Sequence, residues 1–339
     1  MAVGPWSTKF VGAHVYLDEP GIQDGSWDNI PSSWTEIRFD AVDVLFISPF
    51  FVNDETHSIM LSTGPDDGGS LLERFHWVIR AARSTNPNIK IIMEQFMGNC
   101  PGGSDWGILQ DRDGNIDPHA VQQYADSVAS FIDSYYNRKL PALDGVGQVS
   151  ARLDGLDVDV EKGNDAPGLP KILTAVRKSL DALSQKLSAR FTLSICPAWT
   201  SNLDASVAQS CDYVNMQNYD GGQGTSPDDY LRAVPGLQEQ QLVWGFTSEM
   251  PWVNAMNPFE EVEAKVEEVV SGRVVGAWAW RLNSDNYPYE NVFQVWLYNT
   301  IHGVSLPNAK PERVVAKYWP FGGREGGETG PVISTQNLN

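Results

Sequence analysis

The chain has 339 residues, an ordinary globular composition and a formal net charge of −19. That charge argues against nucleic acid and anionic membrane surfaces as partners, since both repel it. A neutral polysaccharide is indifferent to it, and the length suits one α/β barrel with its loops.

Apolar runs that fit the buried strands of a parallel sheet alternate along the chain with amphipathic helical stretches. Phe10 to Leu17 is the first predicted strand and Val42 to Pro49 the second. A helix is predicted over Leu71 to Ser84, then a third strand over Lys90 to Phe96. His119 to Tyr136 has helical spacing, with Val121, Ala125, Val128, Phe131 and Ile132 on its inner face. The fourth strand lies in Asp154 to Glu161, and a proline-opened helix covers Pro170 to Ser188. Phe191 to Cys196 and Tyr213 to Tyr219 are strands five and six. A Gly-rich loop, Asp220 to Gly224, leads into a short helix near Asp228 to Ala233. Leu242 to Phe246 is strand seven, Pro258 to Ser271 a Glu-rich helix, Val275 to Trp280 strand eight and Glu290 to His302 the closing helix.

Eight strands, most followed by a helix, is the count of a (β/α)8 TIM barrel of the α/β class. The expectation is one catalytic domain over 1–303 with no large insertion between strands seven and eight. Residues 304–339, with Pro307, Pro311 and the Gly-rich run Gly322 to Gly327, read as an extended, partly disordered tail.

The fourth strand carries the strongest signal. In Asp154-Gly155-Leu156-Asp157-Val158-Asp159-Val160-Glu161, acids and aliphatics alternate at period two after the glycine. Asp157, Asp159 and Glu161 therefore share one face, spaced about 6–7 Å apart along the strand. A solvated surface strand can carry such a row, but the fully aliphatic opposite face places this one inside the protein. Buried carboxylates repel one another and must share protons or bind something. In a barrel of this kind reacting groups sit at the C-terminal strand ends. Those ends present Glu161, then Tyr219 with Asp220, then Trp280: an acid, a phenol beside a carboxylate, and a flat ring, the parts of a sugar pocket.

This stretch resembles the Asp-x-x-Asp-x-Asp-x-Glu signature of glycoside hydrolase family 18, the chitinases and endo-β-N-acetylglucosaminidases. The resemblance implies substrate-assisted hydrolysis, a departure from the two-carboxylate scheme of most glycosidases. It gives Glu161 the role of proton donor to the glycosidic oxygen. Asp159 would hold the 2-acetamido N–H while the acetamido carbonyl attacks C1, and Asp157 would share a proton with Asp159. Asp154 would be a structural member; its opposite parity requires a bend or bulge at Gly155 if it points inward. Gln217-Asn218-Tyr219-Asp220 resembles the family's strand-six motif. Tyr219 would then bond the acetamido oxygen, with Asp220 and Gln217 contacting the sugar. Trp280 resembles the strand-eight tryptophan under the reacting sugar, and Trp199, Trp244, Trp252 and Trp278 are either groove lining or core.

One motif departs from the family. Glu94-Gln95-Phe96-Met97 stands where Ser-x-Gly-Gly is usual, so the pocket floor or the support of Asp154 must differ. Glu94 is either a substitute hydrogen-bonding group or a paired structural acid.

The resemblance implies a retaining enzyme acting on N-acetylglucosamine-containing oligosaccharides, without cofactor or metal, and favours a monomer. The alternatives are a non-catalytic lectin on the same barrel and a barrel repurposed for another small molecule. Cys100, Cys196 and Cys211 have no C-x-x-C spacing, which reads against a disulfide scaffold or a zinc site. The start of the sequence shows no signal-peptide pattern, and no apolar run reaches membrane-spanning length. The expected location is cytoplasmic, or extracellular if a leader precedes this sequence. The histidines His14, His57, His76, His119 and His302 are scattered and receive no catalytic role.

Overall fold

A computed structural model describes residues 9–18, 30–61, 68–96, 106–111, 113–161, 167–201, 203–219, 224–247, 259–284 and 286–306. The barrel strands are β1 (Phe10–Tyr16), β2 (Val44–Val52), β3 (Lys90–Gln95), β4 (Gly155–Val160), β5 (Thr192–Pro197), β6 (Tyr213–Gln217), β7 (Leu242–Thr247) and β8 (Gly276–Trp280). Each pairs in parallel with the next, and β8 and β2 both pair with β1, which closes the sheet. The helices are α1 (Ser32–Thr35), α2 (Gly68–Thr85), α3 (Pro118–Tyr136), α4 (Leu169–Leu187), α5 (Ala205–Ser210), α6 (Pro227–Ala233), α7 (Phe259–Ser271) and α8 (Tyr287–His302). The expected TIM barrel is present, with α7 as the one described element between β7 and β8. The tail from Pro307 onward, Met97, Cys100, Asp220 and Trp252 lie outside the described residues.

Period-two alternation sorts the side chains of each strand between two cores. Outward residues such as Val11, Ala13 and Val15 of β1 pack under helix faces that include Val78 and Ala82 of α2 and Phe293 and Leu297 of α8, all fully buried. Inward residues form a second cluster of Phe10, Val44, Phe46, Ile92, Tyr213, Val243 and Trp278. Helix starts follow local chemistry. Asp117 caps α3 by accepting from the backbone N–H of His119 and Ala120, and Pro118 occupies the first turn, where its missing N–H costs nothing.

The inward position Gly155 shows why the fourth strand opens on glycine. A Cβ there would lie 2.2 Å from the carbonyl oxygen of Thr192 on β5. The strand begins at this residue without the bend that an inward-pointing Asp154 requires, because Asp154 points out of the barrel. Its carboxylate accepts from Arg83 Nη2 at 3.2 Å and from the Ile91 N–H at 3.1 Å. Arg152 and Lys90 add nitrogens at 3.3 and 3.9 Å. Asp154 therefore clamps the N-terminal end of β4 to β3 and α2.

Removing one partner of a buried ion pair leaves the other charge uncompensated, which typically costs about 3–5 kcal/mol. Asp154→Ala is expected to lower the unfolding free energy by roughly that amount, measured by urea denaturation. A loss below about 1 kcal/mol would show that the clamp contributes no more than an exposed ion pair.

Candidate active site

The inner wall of β4 carries Asp157 and Asp159 into the barrel, where they are 0% and 3% exposed. Glu161 follows at the C-terminal mouth and is half-buried. Asp157 and Asp159 thus share the inward face as predicted, with Glu161 next in the same parity at the mouth. Each neighbouring strand supplies what these acids touch. Asp157 Oδ1 accepts from Asn215 Nδ2 of β6 at 2.8 Å and from the hydroxyl of Ser194 on β5. Asp159 Oδ1 accepts from Gln217 Nε2 of β6 at 2.7 Å. The same nitrogen donates to the Cys196 carbonyl at 2.9 Å. Both Gln217 amide hydrogens are engaged in this way, so its amide nitrogen fixes Asp159 and has no hydrogen left for a ligand.

Tyr219 closes this wall. Burial pushes its hydroxyl well above the ordinary range, with added pressure from the negative charges of Asp159 and Glu161 nearby. The phenol is therefore a neutral donor at any ordinary pH. Its ring meets Trp278 edge-on at 5.7 Å. Across the mouth, Trp280 stacks nearly parallel on Phe96, centroids 6.2 Å apart, and Tyr16 packs against both rings. The arrangement is a half-buried aromatic platform facing a wall of acids and a phenol. Of the remaining tryptophans, Trp278 fills the barrel interior and Trp244 faces out, donating to Glu268 at 3.0 Å. Trp199 is half-buried.

Two site groups that the sequence reading undervalued lie beneath this wall. Glu94 of β3 stands in register with Asp157 and is 1% exposed. His14 of β1 is fully buried, its Nε2 2.9 Å from Glu94 Oε1. The imidazole is stacked on Phe46 at 4.6 Å and tilted against Trp278 at 4.6 Å. His14, Glu94 and Asp157 each offer an atom within 4.8 Å of the others, one cluster in which the imidazole is already hydrogen-bonded to Glu94. Period-two parity carried the signal: His14 falls on the inward face with Phe10 and Gly12, and Glu94 with Ile92.

Burial, and after it the charge of Glu94, pushes the Asp157 carboxyl up to about 7 from its ordinary 3.8, against the opposing hydrogen bond from Ser194. Two carboxylates 4–5 Å apart repel by roughly 4 kcal/mol even at an effective dielectric of 20. Burial also raises the thiol of Cys196, which the Asp157 and Asp159 charges reinforce. Cys196 and Cys211 are both buried free thiols.

The fold is that of the glycoside hydrolase family 18 chitinases. A class V chitinase from Nicotiana tobaccum superposes with TM-score 0.61 and 14% identity, over 88% of this chain and 100% of that one. A chitinase of that family from Cycas revoluta, in complex with (GlcNAc)3, gives 0.60 and 12%, over 86% and 99%. The catalytic domain of psychrophilic chitinase B from Arthrobacter TAD20 gives 0.54 and 14%, over 89% and 98%. No protein-family model matches the chain, and no curated protein sequence does.

The raised carboxyl of Asp157 has a consequence for stability. Between about pH 4 and 7 the folded state holds a proton there that the unfolded state has released. The stability it contributes is complete below the unfolded value and lost as pH rises through the folded one. Asp157→Asn cannot ionise, so wild type is expected to lose roughly 2–4 kcal/mol relative to this variant between pH 4 and 8. Urea unfolding of both proteins across that range measures the difference, and parallel curves would refute the assignment.

Proposed function

We propose that this protein is a retaining glycosidase that cleaves β-1,4-linked N-acetylglucosamine, in chitin oligomers or the chitobiose core of N-glycans. The observation that carries the reading is the inward row of Asp157, Asp159 and Glu161, with Tyr219 beside it and Trp280 across the mouth. Solved chitinases of the same fold were crystallised with N-acetylglucosamine oligomers, which supports a substrate of that class.

In this reading an N-acetylglucosamine unit lies on the Trp280 ring with its scissile oxygen towards Glu161. Glu161 gives its proton to that oxygen as the C1–O bond breaks, and the substrate's own acetamido carbonyl forms the new bond to C1. Asp159, steadied by Gln217, accepts the acetamido N–H and stabilises the positive charge of the oxazolinium. Tyr219 donates to the acetamido oxygen and orients it for attack. Water then opens the ring, Glu161 taking its proton, and the anomeric configuration is retained. Half-burial of Glu161 suits this cycle, since the residue needs both a dry face for the substrate and access to water.

Glu161→Gln is expected to lower hydrolysis of a fluorogenic N-acetylglucosamine glycoside by about 10²–10⁴-fold with oligomer binding retained. Unchanged hydrolysis by that variant would sink the proposal. Binding of chitin oligomers by a wild type that hydrolyses nothing would make the protein a lectin on the same barrel. Product analysis on chitin oligomers beside a high-mannose glycoprotein separates the two polymers.

A further inference from the structure

The deepest part of the site holds more acid than the proposed reaction uses. Glu94 and Asp157 are side by side on adjacent strands, both inward and both almost fully buried. Glu94 Oε2, Asp157 Oδ2 and His14 Nδ1 are each buried with no hydrogen-bond partner. The other oxygen of each acid is taken: Glu94 Oε1 by His14, and Asp157 Oδ1 by Ser194 and Asn215. Two buried carboxylates left with one bare oxygen apiece are strongly disfavoured as a pair of anions. One proton on the pair removes most of that cost.

We propose that Glu94 and His14 are positioning residues for Asp157, the two carboxyls holding one proton between them while His14 anchors Glu94. The pair then carries a single negative charge. Asp157 is kept able to donate a hydrogen bond, while Asp159, two residues further along the same face, remains an acceptor held by Gln217. Glu94 is held by His14, which Phe46 and Trp278 pin in place by ring contact. The groups facing the pair are His14 from β1, Ser194 and Cys196 from β5, Asn215 from β6 and Asp159 from β4 itself; Cys211 also feels the Asp157 charge and Tyr219 the Glu94 charge. Of these, His14 is the one able to carry positive charge.

The catalytic consequence rests on the glycosidase reading, but the proton arrangement does not, and the test separates them. The carboxyl of Asp157 can be titrated by 13C NMR in protein labelled at the aspartate side-chain carboxyl, its resonance assigned by absence in Asp157→Asn. Glu94→Gln removes the competing charge without changing shape, and the Asp157 midpoint is expected to fall by about one pH unit or more. His14→Gln removes the group that stabilises the anionic pair, so the midpoint is expected to rise. A purely structural role for Glu94 and His14 predicts no such opposed shifts.

If Glu94→Gln does not fold, His14→Gln decides the point alone. An unmoved Asp157 midpoint in the folded variants would overturn the proposal. So would a stoichiometric divalent metal in the purified protein whose removal by chelator is needed before Asp157 titrates. For a hydrolytic wild type, Glu94→Gln should also move the pH profile of kcat/KM to lower pH in step with the NMR midpoint. Absence of hydrolysis in wild type would remove the glycosidase reading and leave the titration result standing.

Discussion

The structure depends on keeping carboxylates inside a closed barrel where water does not reach them. Glu94, Asp157 and Asp159 are each at most 3% exposed, and an uncompensated ion so placed would cost several kcal/mol. The barrel offsets this with donors from other strands: Ser194 from β5, Asn215 and Gln217 from β6, His14 from β1. Closure is what makes the arrangement possible. β1 and β3, like β4 and β6, are two strands apart in the sheet, and the curvature that closes it brings His14 to Glu94 and Asn215 to Asp157.

Rigid packing beneath the mouth gives these polar contacts their fixed geometry. The Trp278 ring lies so close to β7 that a Cβ on Gly245 would sit 2.2 Å from it. His14 in turn lies between Phe46 and Trp278, so the residue that anchors Glu94 has little room to turn. Dipoles and donors held in this way need not reorganise when charge develops on a ligand, which is where much of enzymatic electrostatic stabilisation originates.

The two ends of the barrel carry different sets of side chains. At the N-terminal end, Asp154 gathers Arg83, Arg152 and Lys90 into a clamp that joins β3, β4 and α2. At the C-terminal end, strand termini meet as Tyr16, Phe96, Glu161, Tyr219 and Trp280, a surface of rings, one phenol donor and one acid. Four acids within eight residues are thus divided between the two ends. Parity decides which: Asp154 faces the helices, Asp157 and Asp159 face the interior, and Glu161 lies at the mouth.

Sequence by itself determined the α/β barrel, because strand-length apolar runs and helical periodicity alternated eight times and left few other folds open. It also placed Asp157, Asp159 and Glu161 on one inward face, since a period of two leaves no choice once the strand is buried. Tertiary structure alone decided the partners. Strand order brought Gln217 to Asp159 and Asn215 to Asp157, contacts between residues 58 positions apart that no local pattern encodes. The same closure joined His14 to Glu94 across 80 residues, turning a histidine given no role and an acid of open purpose into the floor of the site. Alternation says which way a side chain points; only the closed sheet says what it meets there.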